Sequence, residues 1–492
     1  MEKETPLKVA FFADTAPQFL ERALKQEMQT RGKPLELLSL PFVSPLVVQS
    51  ELAAFHPDVV VLWFAVETAQ TRGFADIAQL LSLPYTFLVF NMVTFDDGVC
   101  GSHSLVYAPS IRAQQQAWNM RLVELVRDHP NLMLMDLELL QSRLGRTSTF
   151  DARLWEMASV ALVPEVCPVV AQQVANILCA TRGVLRKVVV VDLDDTLWTG
   201  TVGEVGAEHI DPSAPGRQRF QRWLKALAAR GILLAVASKN DAEIARSAFS
   251  NAAMLLSLND FSAFEASWEH KAVLLQRIAD TLHVALDALV FLDNLPEERA
   301  AIREHLPNVT VPELPQDPAL WVEFLAEQNM FETLAITADD AHRTEMLHAE
   351  GQRKNVSLSV SPEQYLASLK QELLPEPLSP ENRERVAQLT QRCNQFNMRN
   401  TRHTVADLVE MEGWVYRLRD RFGDMGIVSA VLLQNGVIET WVLSCRAFNR
   451  GLEKRILDHL KSLGPIHGDY RPSDRNGRCK DVYRENGIPC HE

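Results

Sequence analysis

The stretch Lys187–Gly206, KVVVVDLDDTLWTGTVGEVG, constrains the fold more than any other part of the chain. Four consecutive valines, Val188–Val191, run directly into Asp192 and Asp194. A short run of β-branched apolar residues reads as a strand buried on both faces, as in a parallel sheet. An ionised carboxylate is not tolerated in such a core, so Asp192 has to lie where the strand ends. Open α/β sheets bind ligands at that carboxyl edge. A site is therefore expected immediately after Val191.

The rest of the chain repeats the pattern. In the first third, Leu7–Phe12, Val59–Phe64, Tyr85–Asn91 and Leu132–Asp136 read as strands, and Phe19–Arg31 and Ile111–Asp128 as helices. Such alternation implies a parallel sheet with covering helices. Polar residues follow two of these strands: Asp14-Thr15, and Asn91 with Asp96 and Asp97. The blocks resemble those of SGNH-type hydrolases, with Thr15 where a nucleophilic serine would stand. FDARLWEMASV near residue 150 contains no Asp-x-x-His to supply the base, and a nucleophile needs one. A binding or helper role is therefore expected for residues 1–182. Beyond Lys187, Ile232–Ala237 and Ala288–Leu292 are further buried strands, ending at Ser238-Lys239-Asn240 and at Asp293-Asn294. Lys271 heads the helical stretch KAVLLQRIADTL.

Asp192-Leu193-Asp194-Asp195-Thr196 matches the D-x-D-x-T motif of the haloacid dehalogenase (HAD) superfamily, and Ser238, Lys271 and Asp293 follow in the order and spacing of its other motifs. The resemblance implies a Rossmann-like core at 183–330 that performs phosphoryl transfer on a small phosphorylated substrate. Asp192 would be the nucleophile and Asp194 the general acid/base. Ser238 and Lys271 would hold the phosphoryl group, with Lys239 the competitor for the second role. Thr196, Lys239 and Asn240 are further candidate substrate contacts. A magnesium ion would sit on Asp192, the backbone carbonyl of Asp194, and Asp293. The family's usual D-D-N-P here reads Asp293-Asn294-Leu295-Pro296, so an amide replaces the second carboxylate.

The last part differs in character. Pro375, Pro377 and Pro380 mark a boundary after a helical linker expected at 331–375. From 376 onward the pattern is α+β, with strands at Trp414–Asp420, Gly426–Leu433 and Val437–Ser444 and a hairpin signal at Asn435-Gly436. Ser444–Glu453, SCRAFNRGLE, resembles the loop with which GNAT-type acyltransferases hold a pyrophosphate at a helix N-terminus. Arg446 and Gly451 fit that loop. Asn449 replaces a glycine, and asparagine tolerates φ > 0 better than most residues. Together with TQRCNQFN (Thr390–Asn397) and DRFGDMGIV (Asp420–Val428), the order of parts resembles the FkbH family of HAD proteins. The implied fold class is multidomain α/β: an SGNH- or flavodoxin-like N-terminal domain, a HAD core with helices on both faces of a parallel sheet, and an α+β GNAT-like C-terminal domain.

The resemblance also implies an activity. Such enzymes take a donor like 1,3-bisphosphoglycerate, remove phosphate, and load a glyceryl unit onto the phosphopantetheine thiol of an acyl carrier protein in polyketide-type biosynthesis. A covalent thioester in the HAD part is impossible here, because no cysteine occurs from Ala180 to Arg392. Either the carrier thiol is acylated directly, or Cys445 accepts the acyl group, or the protein is a phosphatase without acyl transfer. A carrier-binding acyltransferase with a secondary HAD site is the third reading. Net charge is −14 and no basic run stands out, which argues against nucleic acid. No run of 18 apolar residues suggests a membrane span. Seven scattered cysteines without a C-x-x-C pair fit a reducing cytoplasm and no structural zinc.

Overall fold

The computed structural model of the protein describes residues 5–40, 45–64, 73–93, 97–129, 131–334, 362–434 and 436–491. The chain forms two compact units, 1–178 with 404–409, and 179–403 with 410–492.

The first unit is built on five strands: β1 (Leu7–Ala13), β2 (Leu35–Leu40), β3 (Val59–Trp63), β4 (Thr86–Phe90) and β5 (Leu132–Met135). All pair in parallel, in the order β2-β1-β3-β4-β5. This is the doubly wound flavodoxin order. β1, β3 and β4 are buried almost throughout because helices cover both faces. β2 is an edge strand and mostly half exposed, so LELLSL lacks the continuous apolar signal of the others. Thr15 is buried just beyond β1, and Asn91 just beyond β4 donates to Asp136 Oδ1 at 2.7 Å. Asp96 lies outside the described residues.

The second unit holds two sheets. The first has the order β8-β7-β6-β9 and is wholly parallel, with β6 (Val188–Val191), β7 (Leu233–Ser238), β8 (Phe261–Ala266) and β9 (Leu289–Leu292). The valines of β6 alternate between two apolar layers. Val189 and Val191 join Phe220, Leu224 and Trp321 on one face. Val188 and Val190 join Leu274, Leu275 and Ile278 on the other. Burying a valine side chain fully is worth roughly 1.5–3 kcal/mol, so this strand is held firmly against sliding. The chain leaves β6 for β7 and β8 on one side and returns to β9 on the other. The topological switch point therefore falls between the carboxyl ends of β6 and β9.

The other sheet has the order β10 (Glu372–Pro377), β11 (Glu412–Asp420), β12 (Gly423–Gln434), β13 (Val437–Leu443), β14 (His467–Asp469) and β15 (Cys490–His491). It is antiparallel through β13 and parallel across β13, β14 and β15. Pro375 and Pro377 lie inside β10, an edge strand, where a missing N–H is tolerated. The amphipathic helix Leu452–Leu463 buries Leu452, Ile456, Leu457 and Leu460 against Tyr416 and Trp441 of this sheet. β12 and β13 pair up to Gln434 opposite Val437, and Gly436 has φ 79° as a tight hairpin requires. Asn435 lies outside the described residues, as does the expected linker from 335 to 361. The linker's described end is a helix, Pro362–Leu369.

Candidate active site

Asp192 follows β6 and is 5% exposed. The β6–β9 register pairs Val191 with Leu292, which sets Asp192 beside Asp293 at the switch point. Asp293 is fully buried. On the other side Val191 pairs with Val236, so Ser238, the buried last residue of β7, projects from the neighbouring strand end. Lys271 is the first residue of the helix Lys271–Leu282, whose N-cap is His270. Its Nζ bridges Asp192 Oδ1 at 2.8 Å and Asp293 Oδ2 at 2.5 Å. Three motifs distant in sequence thus meet in one buried ion cluster.

The electrostatics follow from burial. Desolvation pushes the Asp293 carboxyl up to about 6; the charge of Asp192 pushes the same way, and Lys271 opposes both. Burial works against the charge on Lys271, but Asp192 and Asp293 outweigh it and hold its ammonium above the ordinary lysine range. Lys271 is therefore a fixed cation at the site. Asp293 is held from below by the Leu295 N–H at 2.9 Å. Arg299, itself buried, donates to the carbonyls of Asp293 and Asn294 at 2.8 Å each and fixes the turn after β9.

Asp194 is held differently. Trp198 Nε1 and the Val202 N–H each donate to its Oδ1 at 2.9 Å. Asn240 Nδ2 donates to its Oδ2 at 2.8 Å. The intervening Asp195 adopts the left-handed conformation, φ 51°, and accepts from the Gly200 N–H. This sharp turn brings the short helix Val202–Val205 back over the strand end. Desolvation raises the carboxyl of Asp194 above the usual range, and the Val202 and Trp198 hydrogen bonds resist that rise. A carboxyl with a raised pKa in a fixed orientation can give a proton to a leaving oxygen and take one back. Asn240, expected as a substrate contact, orients Asp194 in this structure. Thr196 bridges the two halves of the cleft: its hydroxyl lies 3.5 Å from Asp192 Oδ2 and 3.2 Å from Asn294 Oδ1. Lys239 Nζ lies 2.5 Å from Glu298 Oε1 in an ion pair of its own.

The candidate residues of the last sheet lie elsewhere. Cys445 starts the single turn Cys445–Ala447 after β13 and is exposed. Arg446 occupies that turn, and its side chain lies outside the described residues. Asn449 has φ 60° and Gly451 φ 66°, so the asparagine does adopt the glycine-like conformation. Arg478 Nη2 donates to Asn449 Oδ1, and Arg450 forms a buried ion pair with Asp420 Oδ2 at 3.0 Å. Gly451 caps the helix Leu452–Leu463 without a side-chain hydrogen bond. Cys445 lines a cavity that also takes in Lys187 and Leu233, at the amino ends of β6 and β7, and Leu282–Ala285 before β9. Asp192 is at the carboxyl end of β6. From Lys187 to Asp192 the strand advances five residues, roughly 16 Å, so the structure does not bring Cys445 and Asp192 together.

Trp198 and Arg299 were not anticipated. Trp198 stands four residues after Asp194, a spacing that could have marked it; nothing local distinguishes Arg299 from a surface helix arginine. Among the described residues no group of three or more His, Cys, Asp or Glu side chains could hold a metal ion. The side chains alone offer two hard oxygen ligands, Asp192 and Asp293.

Comparison with known proteins agrees with this geometry. Residues 8–179 match the family described as the N-terminal domain of FkbH. No curated protein matches the chain. A solved structure of the N-terminal part of the Bacteroides fragilis protein BF1531, which contains a phosphatase domain and is complexed with Mg, is 30% identical. The match has a TM-score of 0.63 and covers 67% of this chain and 95% of that one. No helix among the described residues is long and apolar enough to cross a membrane.

Proposed function

The chain belongs to the FkbH-like family of the HAD superfamily, and from that premise we propose that it is a magnesium-dependent phosphatase-type enzyme that also loads a hydroxyacyl unit onto a carrier protein. The observation that carries the phosphoryl chemistry is the Asp192–Lys271–Asp293 cluster at the switch point. Two carboxylates against one lysine leave an excess of negative charge in a buried place. That donor set fits a small hard cation, and magnesium characteristically takes one or two carboxylates and keeps several waters. Asp192 and Asp293 would hold it, with the backbone carbonyl of Asp194. When bound, the ion neutralises phosphoryl oxygens and makes the phosphorus a better electrophile.

The chain's own residues supply the rest. An Asp192 oxygen attacks phosphorus and the bond to the leaving oxygen breaks. Asp194, oriented by Trp198 and Asn240, gives that oxygen its proton. Asp194 then takes a proton from the water that cleaves the aspartyl-phosphate. Lys271 stays charged throughout and offsets the negative charge that builds on the phosphoryl group. Ser238 would donate to one of its oxygens.

Chemical balance limits how acyl transfer can occur. If Asp192 removed the phosphate of an acyl phosphate, the product would be a free carboxylate, which cannot acylate a thiol. On a donor like 1,3-bisphosphoglycerate, Asp192 must therefore cleave the phosphate ester, while a thiolate displaces the acyl phosphate at carbon. With no cysteine from Ala180 to Arg392, and Cys445 beyond the opposite edge of the sheet, that thiol is the carrier's own. The same two observations also favour the second reading, a phosphatase on a phosphorylated biosynthetic intermediate without acyl transfer. The loop Arg446–Gly451 is a candidate contact for the carrier's phosphopantetheine, the first sheet a binding domain of SGNH type, and the cytoplasm the proposed setting.

Incubation with Mg²⁺, 1,3-bisphosphoglycerate and a holo carrier protein, read by intact mass of the carrier, separates the readings. A glyceryl adduct supports loading. Phosphate release with an unmodified carrier leaves the phosphatase alone.

A further inference from the structure

Lys239 and Glu298 form an ion pair that the phosphoryl chemistry described above does not use. Lys239 directly follows β7, and Glu298 lies in the first turn of the helix Pro296–His305, which follows β9. The sheet order is β8-β7-β6-β9, so the pair links the two strands that flank β6, at the edge where Asp192 stands.

Face as well as edge places the pair beside the site. Along β7, Val236 belongs to one apolar layer and Ala237 to the other, and continued alternation turns Lys239 to the side of Ala237. Asp192 and Asp293 turn the same way, because Val190 and Phe291 lie in that layer and Val191 and Leu292 in the opposite one. Ile302, one helical turn after Glu298, packs in the same layer as Ala237. Neighbouring strands lie about 4.8 Å apart, so Lys239 starts one strand away from the nucleophile.

The two lysines of this edge differ in what they can still offer a ligand. Lys271 Nζ is engaged by Asp192 and Asp293, and its side chain is 3% exposed. Lys239 Nζ meets Glu298 Oε1 alone among the described residues, and its side chain is 36% exposed. An ammonium carries three N–H donors. Glu298 accepts from one, which leaves two for a group that reaches the mouth of the cleft. Glu298 also fixes the end of a long flexible stem and offsets part of its charge.

We propose that Lys239, aimed by Glu298, is a specificity-determining residue that binds a second anionic group on the phosphorylated substrate. Resting on the phosphatase reading above, this narrows its substrate class to phosphoesters that carry a carboxylate or a second phosphate a few atoms from the ester. On a donor like 1,3-bisphosphoglycerate that group is the acyl phosphate. Lys271 is already matched by two carboxylates, so a second anion on the substrate needs another cation, and Lys239 stands exposed on the same side of the sheet.

Two esters with the same three-carbon chain isolate the effect: 3-phosphoglycerate carries a carboxylate where glycerol 3-phosphate carries a hydroxymethyl group. Phosphate release from each is measured on the full-length protein with Mg²⁺. Wild-type protein should show a KM at least about tenfold lower for 3-phosphoglycerate. K239M should lose most of that preference through KM, with kcat on 3-phosphoglycerate within about threefold of wild type, and K239R should retain it. E298Q keeps an acceptor for Lys239 and removes the opposing charge, so its KM for 3-phosphoglycerate should fall by about threefold. A binding readout separates this inference from the phosphatase reading and needs no variant to fold. Acetylation of Lys239 by acetic anhydride in wild-type protein, followed by peptide mass spectrometry, should be slowed by 3-phosphoglycerate and hardly at all by glycerol 3-phosphate. If neither ester is hydrolysed and 3-phosphoglycerate still protects Lys239, the phosphatase reading fails and the second-anion site stands. The proposal is overturned if K239M keeps the wild-type preference, if E298Q raises the KM for 3-phosphoglycerate, or if the two esters protect Lys239 equally.

Discussion

Replacing Lys271 with methionine isolates the electrostatic core of the site. Methionine fills much of the volume of the lysine stem and removes the charge. Lys271 Nζ lies 2.8 Å from Asp192 and 2.5 Å from Asp293, with all three side chains at most 7% exposed. At an effective dielectric of about 20, each contact carries about 6 kcal/mol of attraction before desolvation is subtracted. Removing one partner from such a buried pair costs about 3–5 kcal/mol, because the other charges are left uncompensated. The variant can recover part of this loss by protonation. Burial and Asp192 already push Asp293 up to about 6 with Lys271 opposing them. Without Lys271 its folded-state pKa rises further above the unfolded value. The folded state then binds more protons than the unfolded state through that window, so the variant's stability falls as pH rises through it and recovers as pH is lowered. Hydrogen exchange of peptides covering β6 and β9 reads the effect locally. At pH 8 without metal, K271M should lose protection there by roughly two to three and a half orders of magnitude. The deficit should shrink at pH 5 and on addition of Mg²⁺, and D293N/K271M should be less impaired than the sum of its single variants. A K271M protein with wild-type protection, or a deficit indifferent to pH and Mg²⁺, would refute this account of the cluster.

Other perturbations test other parts. Asn240→Leu removes the 2.8 Å donor to Asp194, and losing a donor to a carboxylate raises its pKa. The limb of the pH–rate profile set by Asp194 should move up by roughly one unit, equivalent to about 1.4 kcal/mol. Asn294→Asp restores a carboxylate beside Asp293 and should tighten Mg²⁺ binding by about tenfold in a calorimetric titration. Cys445→Ser should leave phosphate release within about twofold of wild type, since Cys445 lines the cavity at the amino ends of β6 and β7 and the chemistry lies at their carboxyl ends; a large loss would place it in the mechanism. Arg299→Met releases the buried brace on the Asp293–Asn294 turn and should lower thermal stability by about 1–3 kcal/mol, as expected when buried carbonyls lose a charged donor.

The core of the site was legible because each of its strands breaks from apolar to polar at one point. Val191 to Asp192, Ala237 to Ser238 and Leu292 to Asp293 all mark the same edge of one sheet. Asp241 follows the strand end Ser238-Lys239-Asn240 and is of a residue type favoured at helix N-caps, so that helix start was legible too, and the structure shows its side chain accepting from the N–H groups of Glu243 and Ile244. Strands β2, β8 and β10 were not. β8 reads FSAFEA and is only half buried, and β10 contains two prolines that in isolation signal a break. These three lie at sheet edges, where packing on one side alone sets the residue types. The orientation of Asp194 by Asn240 spans 46 residues, and the cavity lined by Cys445 joins residues nearly 300 positions apart. Neither has a local signal, because both are products of tertiary packing.

The account rests on Asp192 becoming phosphorylated. Its most direct test is mass spectrometry of the Asp192-containing peptide after acid quench of the protein turning over a phosphorylated substrate with Mg²⁺. The account predicts one phosphoryl group on Asp192 in wild-type protein, and neither adduct nor phosphate release in D192N. Steady phosphate release by D192N, or an adduct on any other residue, would contradict it.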